Sequence, residues 1–282
     1  MEDRITPKRI LKLFAISAKI DFLWLLRDTK FAIICIIADI INNLATLSGV
    51  FLIASRFGGI GGMSADEVLF MMAYSTLVTG IFIMFGAGNN IHISRIIGRG
   101  QLEHMFVQPL PLGLQLFTCG FAPYTGGGNF IIGAALMVIA SARLGLQVTF
   151  GWVAMLIVYL LATMAIIIAR SYLVSSLAFY APVAAEEISN TAIDETWFIS
   201  TFPLSGMPLF VQVPLLTILP EGLMAWFPSM CLLGRPPLSL TAYYPMLFAL
   251  LISLVASYFF KKGLSHYVRK GSNRYVPHGF RR

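Results

Sequence analysis

Six apolar stretches dominate the chain, at residues 31–55, 67–92, 113–141, 150–178, 198–219 and 241–260. Each is as long as the roughly 20 residues needed to carry a helix across ~30 Å of hydrocarbon. Backbone N–H and C=O groups find no water in hydrocarbon, and uninterrupted apolar runs of this length satisfy them as helices. Only 12% of the 282 residues are charged and 57% are hydrophobic, with a mean hydropathy of +0.80. Soluble domains carry about 25% charged residues. A core within so short a chain cannot absorb that much apolar surface, so lipid is the solvent for much of it. The expected fold is an all-α membrane protein with six transmembrane helices and no soluble domain.

Charge placement orients such a bundle. With six spans both termini share one side. That side then holds Arg4, Lys8, Arg9, Lys12, Lys19, Arg27 and Lys30, the pair Arg95 and Arg99, and the tail from Lys261 and Lys262 through Arg269, Lys270, Arg274, Arg281 and Arg282. Opposite lie Arg56, Arg143 and Arg235. The positive-inside rule makes the first side cytoplasmic. The fifth stretch carries Pro203, Pro208 and Pro214, which remove backbone donors and kink a helix. It is retained as a span because dropping it would send the basic tail outside. The net charge of +7 is thus first a topology signal, and no nucleic-acid partner is inferred from it.

Three regions flank or interrupt the spans. Residues 1–30 read as a cytoplasmic amphipathic helix lying in the headgroup region, with Lys8, Lys12 and Lys19 on one stripe and Ile10, Leu13, Phe14, Phe22 and Trp24 forming its apolar body. Residues 31–262 form the transmembrane domain, and 263–282 a basic cytoplasmic tail. Between the fifth and sixth spans, residues 220–240 are apolar but too short and broken to cross, so they read as a dip into the outer leaflet or as short interfacial helices. No cleavable leader and no lipidation motif is expected.

The motifs of covalent chemistry are absent. The sequence has no Gly-x-x-x-x-Gly-Lys-Ser/Thr phosphate loop, no His-Glu-x-x-His and no Gly-x-Ser-x-Gly. Cys35, Cys119 and Cys231 are far apart, and His92, His104, His266 and His278 have no metal spacing. Gly126-Gly127-Gly128 in the third stretch reads as a packing or hinge feature, since small residues let helices approach in lipid. Two constellations remain.

The first lies inside the membrane. Asp39, Asn42 and Asn43 stand at i, i+3 and i+4 of the first span and so share a face. A carboxylate there costs about 2.5–3.5 kcal/mol on insertion scales and faces protein or water. Arg170 lies within the fourth span at a similar depth, roughly 12–14 Å from the cytoplasmic end at 1.5 Å per residue. Asp39 and Arg170 are therefore candidates for an ion pair with each other or for the lining of a translocation path.

The second is Ile97-Gly-Arg-Gly-Gln-Leu-Glu-His-Met-Phe-Val-Gln-Pro-Leu-Pro111, a short polar helix pattern opened by two glycines and closed by prolines. Leu102, Met105 and Phe106 share a face at helical spacing, a knob suited to a groove on another protein. An ordinary interhelix loop packed on the membrane surface is the other reading.

Gly100, Leu102, Glu103, Pro109, Leu110 and Pro111 resemble the loop after the second helix of ABC-2 type transporter permeases, and most closely the six-helix bacterial ABC-2 family proteins of about this length. The basic N-terminal helix, Phe202-Pro203-Leu204, Phe227-Pro228, Leu232-Leu233-Gly234 and the ending Gly263-Leu-Ser-His-Tyr267 with Gly271 are similar too. Glu186, Glu187, Asp194 and Glu195 make the second cytoplasmic loop acidic where the family's is basic. The resemblance implies a multi-pass subunit of the bacterial inner membrane, paired with a second permease that is the same or a related chain. It further implies two ATP-binding cassette subunits, which hold the ATP and Mg; no cofactor is expected in this chain, and no catalysis. Residues 98–111 would form the coupling helix seated in the ATPase groove, with Gly100, Leu102, Glu103, His104, Met105, Phe106 and Pro109 carrying the contact. Family members mostly export. The alternative from a different class is an ion-coupled secondary carrier using Asp39, which typically shows two related halves that are not evident here. A membrane-embedded lipid enzyme would need paired carboxylates, a metal cluster or an activated nucleophile, and none is found.

Overall fold

The computed structural model describes residues 7–86, 93–118, 120–181, 187–189, 191–192, 199–235 and 242–271. Residues 87–92 at the end of the second stretch, Arg4, Cys119, Glu186, Asp194, Glu195, Arg274, His278, Arg281 and Arg282 lie outside them, as does the side chain of Asp39. The described residues are helical, without strands; the one β-bridge, Ile60 with Met63, closes a turn. In chain order the helices are α1 (Pro7–Arg27), α2 (Thr29–Arg56), α3 (Ala65–Gly86), α4 (Ile93–Gly98), α5 (Gln101–Phe106), α6 (Leu112–Thr118), α7 (Pro123–Arg143), α8 (Phe150–Ser175), α9 (Leu209–Thr217), α10 (Trp226–Leu232) and α11 (Tyr244–Lys270).

Four of them, α2, α3, α8 and α11, are long and apolar enough to cross a membrane. The third apolar stretch is not one helix. It breaks between α6 and α7, where Pro123 starts a new helix at its first position, leaving a shorter apolar rod at Gly127–Arg143. α2 exposes Ile33, Ile34, Ile37, Ile41 and Leu52. An apolar helix so bare of protein has hydrocarbon as its partner. α3 is the reverse: apolar all round and mostly buried, it is the centre of the bundle.

α3 and α7 pack backbone to backbone. A Cβ placed on Gly80 would overlap the backbone of Phe130, and one placed on Gly133 would overlap the backbone of Leu77. The two glycines face opposite partners, so the helices interlock at two levels, as small residues allow in lipid. α8 joins α3 through the buried Tyr74 and Thr163 hydroxyls, 3.0 Å apart, and α11 pairs along α8.

The two ends of the bundle differ. At the basic end, α1 bridges the break between α6 and α7. Ser17 Oγ donates to the Thr118 carbonyl at 2.9 Å, and Asp21 Oδ2 accepts the Tyr124 N–H at 2.8 Å. Asp21 thus satisfies an N–H that the first turn of α7 cannot bond internally. Phe14 stands edge-on to Phe117 and Phe121 beside these bonds. At the opposite end Ser64 and Glu67 form a reciprocal capping box at the start of α3, and Glu67 also holds Arg235 at 2.8 Å.

The fifth stretch departs from the sequence expectation of a span at 198–219. Ser189 lies at the basic end, its hydroxyl 3.0 Å from that of Ser175. Gly206 lies at the other end, against Gly61 of the turn between α2 and α3. Ser189 and Gly206 thus stand at opposite ends of the bundle. Beyond Gly206, α9 and the Pro220–Leu232 segment are bent by 72° and return to the same end, where the Leu232 carbonyl accepts from Trp152 Nε1 at 3.1 Å. Together they make a re-entrant hairpin. Pro203 and Pro208 end each helical attempt before it can continue.

Gly133→Ala is expected to lower the thermal midpoint in detergent by an amount equivalent to about 1–3 kcal/mol, the usual cost of overpacking. Gly127→Ala, whose Cβ meets open space on the same helix, should leave it unchanged or raise it.

Candidate functional site

At the basic end, α4 and α5 are separated by a sharp reversal. Gly100 makes it, with a φ of 68° in the left-handed region where a side chain is strained. The reversal sets α5 on a small apolar pedestal formed by Ile93, Ile96, Ile97, Leu116, Ala178, Phe179 and Tyr267. Leu102 is the root of α5 in this pedestal and is fully buried, with Met105 packed beside it.

Two side chains fix α5 and the turn after it from different directions. The Tyr267 hydroxyl of α11 donates to Glu103 Oε1 at 3.1 Å. Gln115 of α6 is buried and donates from Nε2 to the carbonyls of Met105 at 2.9 Å and Leu110 at 2.6 Å. The Met105 carbonyl belongs to the C-terminal turn of α5, which has no intrahelical donor for it. Gln101, His104, Phe106, Val107, Gln108 and Pro109 are left exposed.

The sequence grouped Leu102, Met105 and Phe106 on one docking face, and the structure divides them. Leu102 points into the protein, Met105 lies at the boundary, and Phe106 stands out with 43% of its surface exposed. A helix of six residues on a pedestal uses its apolar face as the root, and the residue at the edge of that face is the one presented outward. Glu103 is exposed yet held by Tyr267. Gly100 and Pro109 delimit the knob, one through its φ and the other by stopping the helix.

Among the described side chains, the intramembrane residues form two arrangements. Asn42 and Asn43 line a small polar notch of about 160 Å³ between α2 and α3, together with Thr46, Ser75, Thr76, Thr79 and Thr201. Asn43 Nδ2 donates to Asn129 Oδ1 of α7 at 2.6 Å, and Thr76 and Thr79 bond the carbonyls of Met72 and Ser75 one turn back. Asp39 stands one turn from the notch on α2; its side chain lies outside the described residues.

Arg170 has a partner that the sequence did not identify. Its Nη1 lies 2.6 Å from Oε1 of Glu221, at the tip of the re-entrant hairpin, and both groups are nearly removed from solvent. The pairing of Asp39 with Arg170, expected from their similar depth, lies outside the described residues, because the Asp39 side chain does. The sequence places Glu221 at the start of a segment that dips into the outer leaflet or lies in the interface, and the structure carries that carboxylate as far as Arg170. The pair holds the hairpin tip against α8 five residues from the end of that helix, while Leu232 is held at its start.

Among the described residues no group of His, Cys, Asp and Glu could hold a metal ion. A family model described as ABC-2 family transporter protein matches residues 40–271. No curated protein and no solved structure matches the chain. The match spans most of the sequence, and the chain belongs to the ABC-2 transporter family.

Removing one member of a buried ion pair leaves the other uncompensated, at a cost of about 3–5 kcal/mol, whereas a matched apolar pair is often neutral. Glu221→Ala should therefore sharply reduce folded yield on size-exclusion chromatography, and Arg170→Met with Glu221→Leu should restore it. In the pedestal, Leu102→Ala should lower the thermal midpoint by the equivalent of about 2–5 kcal/mol, while Phe106→Asp leaves it in place.

Proposed function

We propose that this member of the ABC-2 transporter family is the permease subunit of an exporter driven by ATP hydrolysis on separate ATP-binding cassette chains. It crosses the bacterial inner membrane six times, with α2, α3, α7, α8 and α11 among the crossings. Both termini lie in the cytoplasm, and a second permease, the same or related, completes the pathway.

The observation that carries this reading is the build of α5. Its root is locked into α4, α6, α11 and the turn after α8, and its exposed edge offers Phe106 and Val107. An apolar knob on a rigid base suits a groove on a partner protein. Nucleotide-driven closure of the two cassette subunits pushes on this knob. Because Leu102, Glu103 and Gln115 tie it to three neighbouring elements, the push displaces the basic ends of α6, α8 and α11 together rather than bending a loop. α1, bonded to both α6 and α7, keeps the break between them from absorbing the movement.

The polar groups indicate the pathway. The notch at Asn42, Asn43, Thr46 and Thr79 presents amides and hydroxyls at mid-depth, next to Asp39. The re-entrant hairpin closes the opposite end, and its Arg170–Glu221 contact holds it inserted. Export requires that the hairpin yield when the basic end is driven shut.

The test uses the chain co-expressed with its cassette subunit and reconstituted in vesicles. Phe106→Asp should weaken their association by about 30-fold, the scale of a central aromatic anchor worth about 2 kcal/mol, and abolish ATP-driven transport. Unchanged association and transport would remove α5 from the coupling role. Transport by the wild-type chain alone on an ion gradient, without nucleotide, would overturn the permease reading.

A further inference from the structure

A second cavity, away from the notch, opens on the side of the bundle at its basic end. It is a cleft of about 540 Å³ between α6, α8 and α11. Its shape comes from missing side-chain bulk: Gly113 on α6, Ala169 on α8, and Ser253 and Ser257 on α11 face one another across it. Helices walled by such small residues ordinarily close up in lipid. Here they stay apart beside the pedestal beneath α5, to which Leu116 of α6 and Tyr267 of α11 both belong.

The lining is almost wholly apolar, with one polar line along α11. Ser253, Ser257 and Lys261 stand at i, i+4 and i+8, so all three point into the cleft from the same face. Lys261 is the first charged residue of α11, is exposed, and has no ion pair among the described residues. From Ser253 to Lys261 the helix rises about 12 Å, within the ~15 Å of hydrocarbon in a single leaflet.

We propose that this cleft binds an anionic phospholipid of the leaflet at the basic end, with its phosphate on Lys261 and one acyl chain along the groove. The chemistry matches at both ends. An apolar slot open sideways to the bilayer takes hydrocarbon, and a cation at its mouth takes a negative headgroup. Lys262, Arg269 and Lys270 on the same helix end add a positive field that favours an anionic over a zwitterionic lipid. A bound lipid would fill the gap between α6 and α11, beside the α5 pedestal. Assigning that leaflet to the cytoplasm rests on the topology proposed above; the binding does not.

The test is native mass spectrometry of the purified full-length chain in neutral detergent, titrated with phosphatidylglycerol or with phosphatidylcholine of the same acyl chains. It needs neither a cassette subunit nor transport, so it can fail or succeed independently of the permease reading. Phosphatidylglycerol should bind more tightly. Lys261→Gln should weaken it about fivefold, the factor for one cation near an anionic surface, and erase the preference. Lys262→Gln, the same loss of charge one residue off the cleft, should leave the preference intact. Ser257→Phe, which fills the groove, should weaken both lipids. Equal binding of the two lipids by the wild type, an equal loss in Lys262→Gln, or equal protection by glycerophosphate without acyl chains would overturn the proposal. So would a change of oligomeric state in Ser257→Phe, which would make the cleft an interface between copies.

Discussion

The close approach of α3 and α7 is the constraint on which the rest of the bundle depends. Between helices in lipid there is no hydrophobic drive of the kind that collapses a soluble core, since the surrounding tails are as apolar as leucine. Association must come from contact and from polar groups. Gly80 and Gly133 supply the contact by letting two backbones touch. With α7 fixed on one flank, α3 offers Tyr74 to α8 and Ser75, Thr76 and Thr79 to the notch facing α2. The re-entrant hairpin then packs over the same central helix through Trp226, Phe227 and Leu223. Loosening the α3–α7 contact would move every one of these surfaces.

Much of the architecture was legible because lipid writes plainly in sequence. Uncharged runs gave α2, α3, α8 and α11, and the lysine stripe gave α1. Gly100 and Pro109 delimited α5 correctly, because a left-handed turn and a missing donor are local requirements. The hidden part was long-range. Helical spacing shows that Leu102 and Phe106 share a side, but it cannot show that one is a root and the other an edge. Glu221 is a single carboxylate in an apolar stretch, far in sequence from Arg170, and nothing local says that its dip reaches that residue. Pro203, Pro208 and Pro214 were read as kinks in a crossing helix; the first two interrupt the helix ahead of a hairpin. Ser64 and Glu67 were readable as a capping box from spacing alone and mark the start of α3 ahead of the apolar run.

Both ends of the bundle are held by polar ties between elements distant in sequence. The basic end is cross-tied: α1 bonds α6 and α7, Gln115 bonds α5, and Tyr267 bonds Glu103. A force applied there is distributed. The opposite end is tied as well, through Arg235 to Glu67, Arg143 to Asp66, Trp152 to the Leu232 carbonyl and Trp226 to Ser205.

The Arg170–Glu221 contact also dictates how the protein must be made. The polypeptide emerges in order, so Arg170 enters the bilayer before Glu221 has been synthesised. A guanidinium in hydrocarbon costs about 2.5–3.5 kcal/mol on insertion scales, so the Glu221 carboxylate contributes to holding α8 only once the hairpin has arrived. The tie between α8 and the hairpin is thus among the late contacts to form as the chain is made.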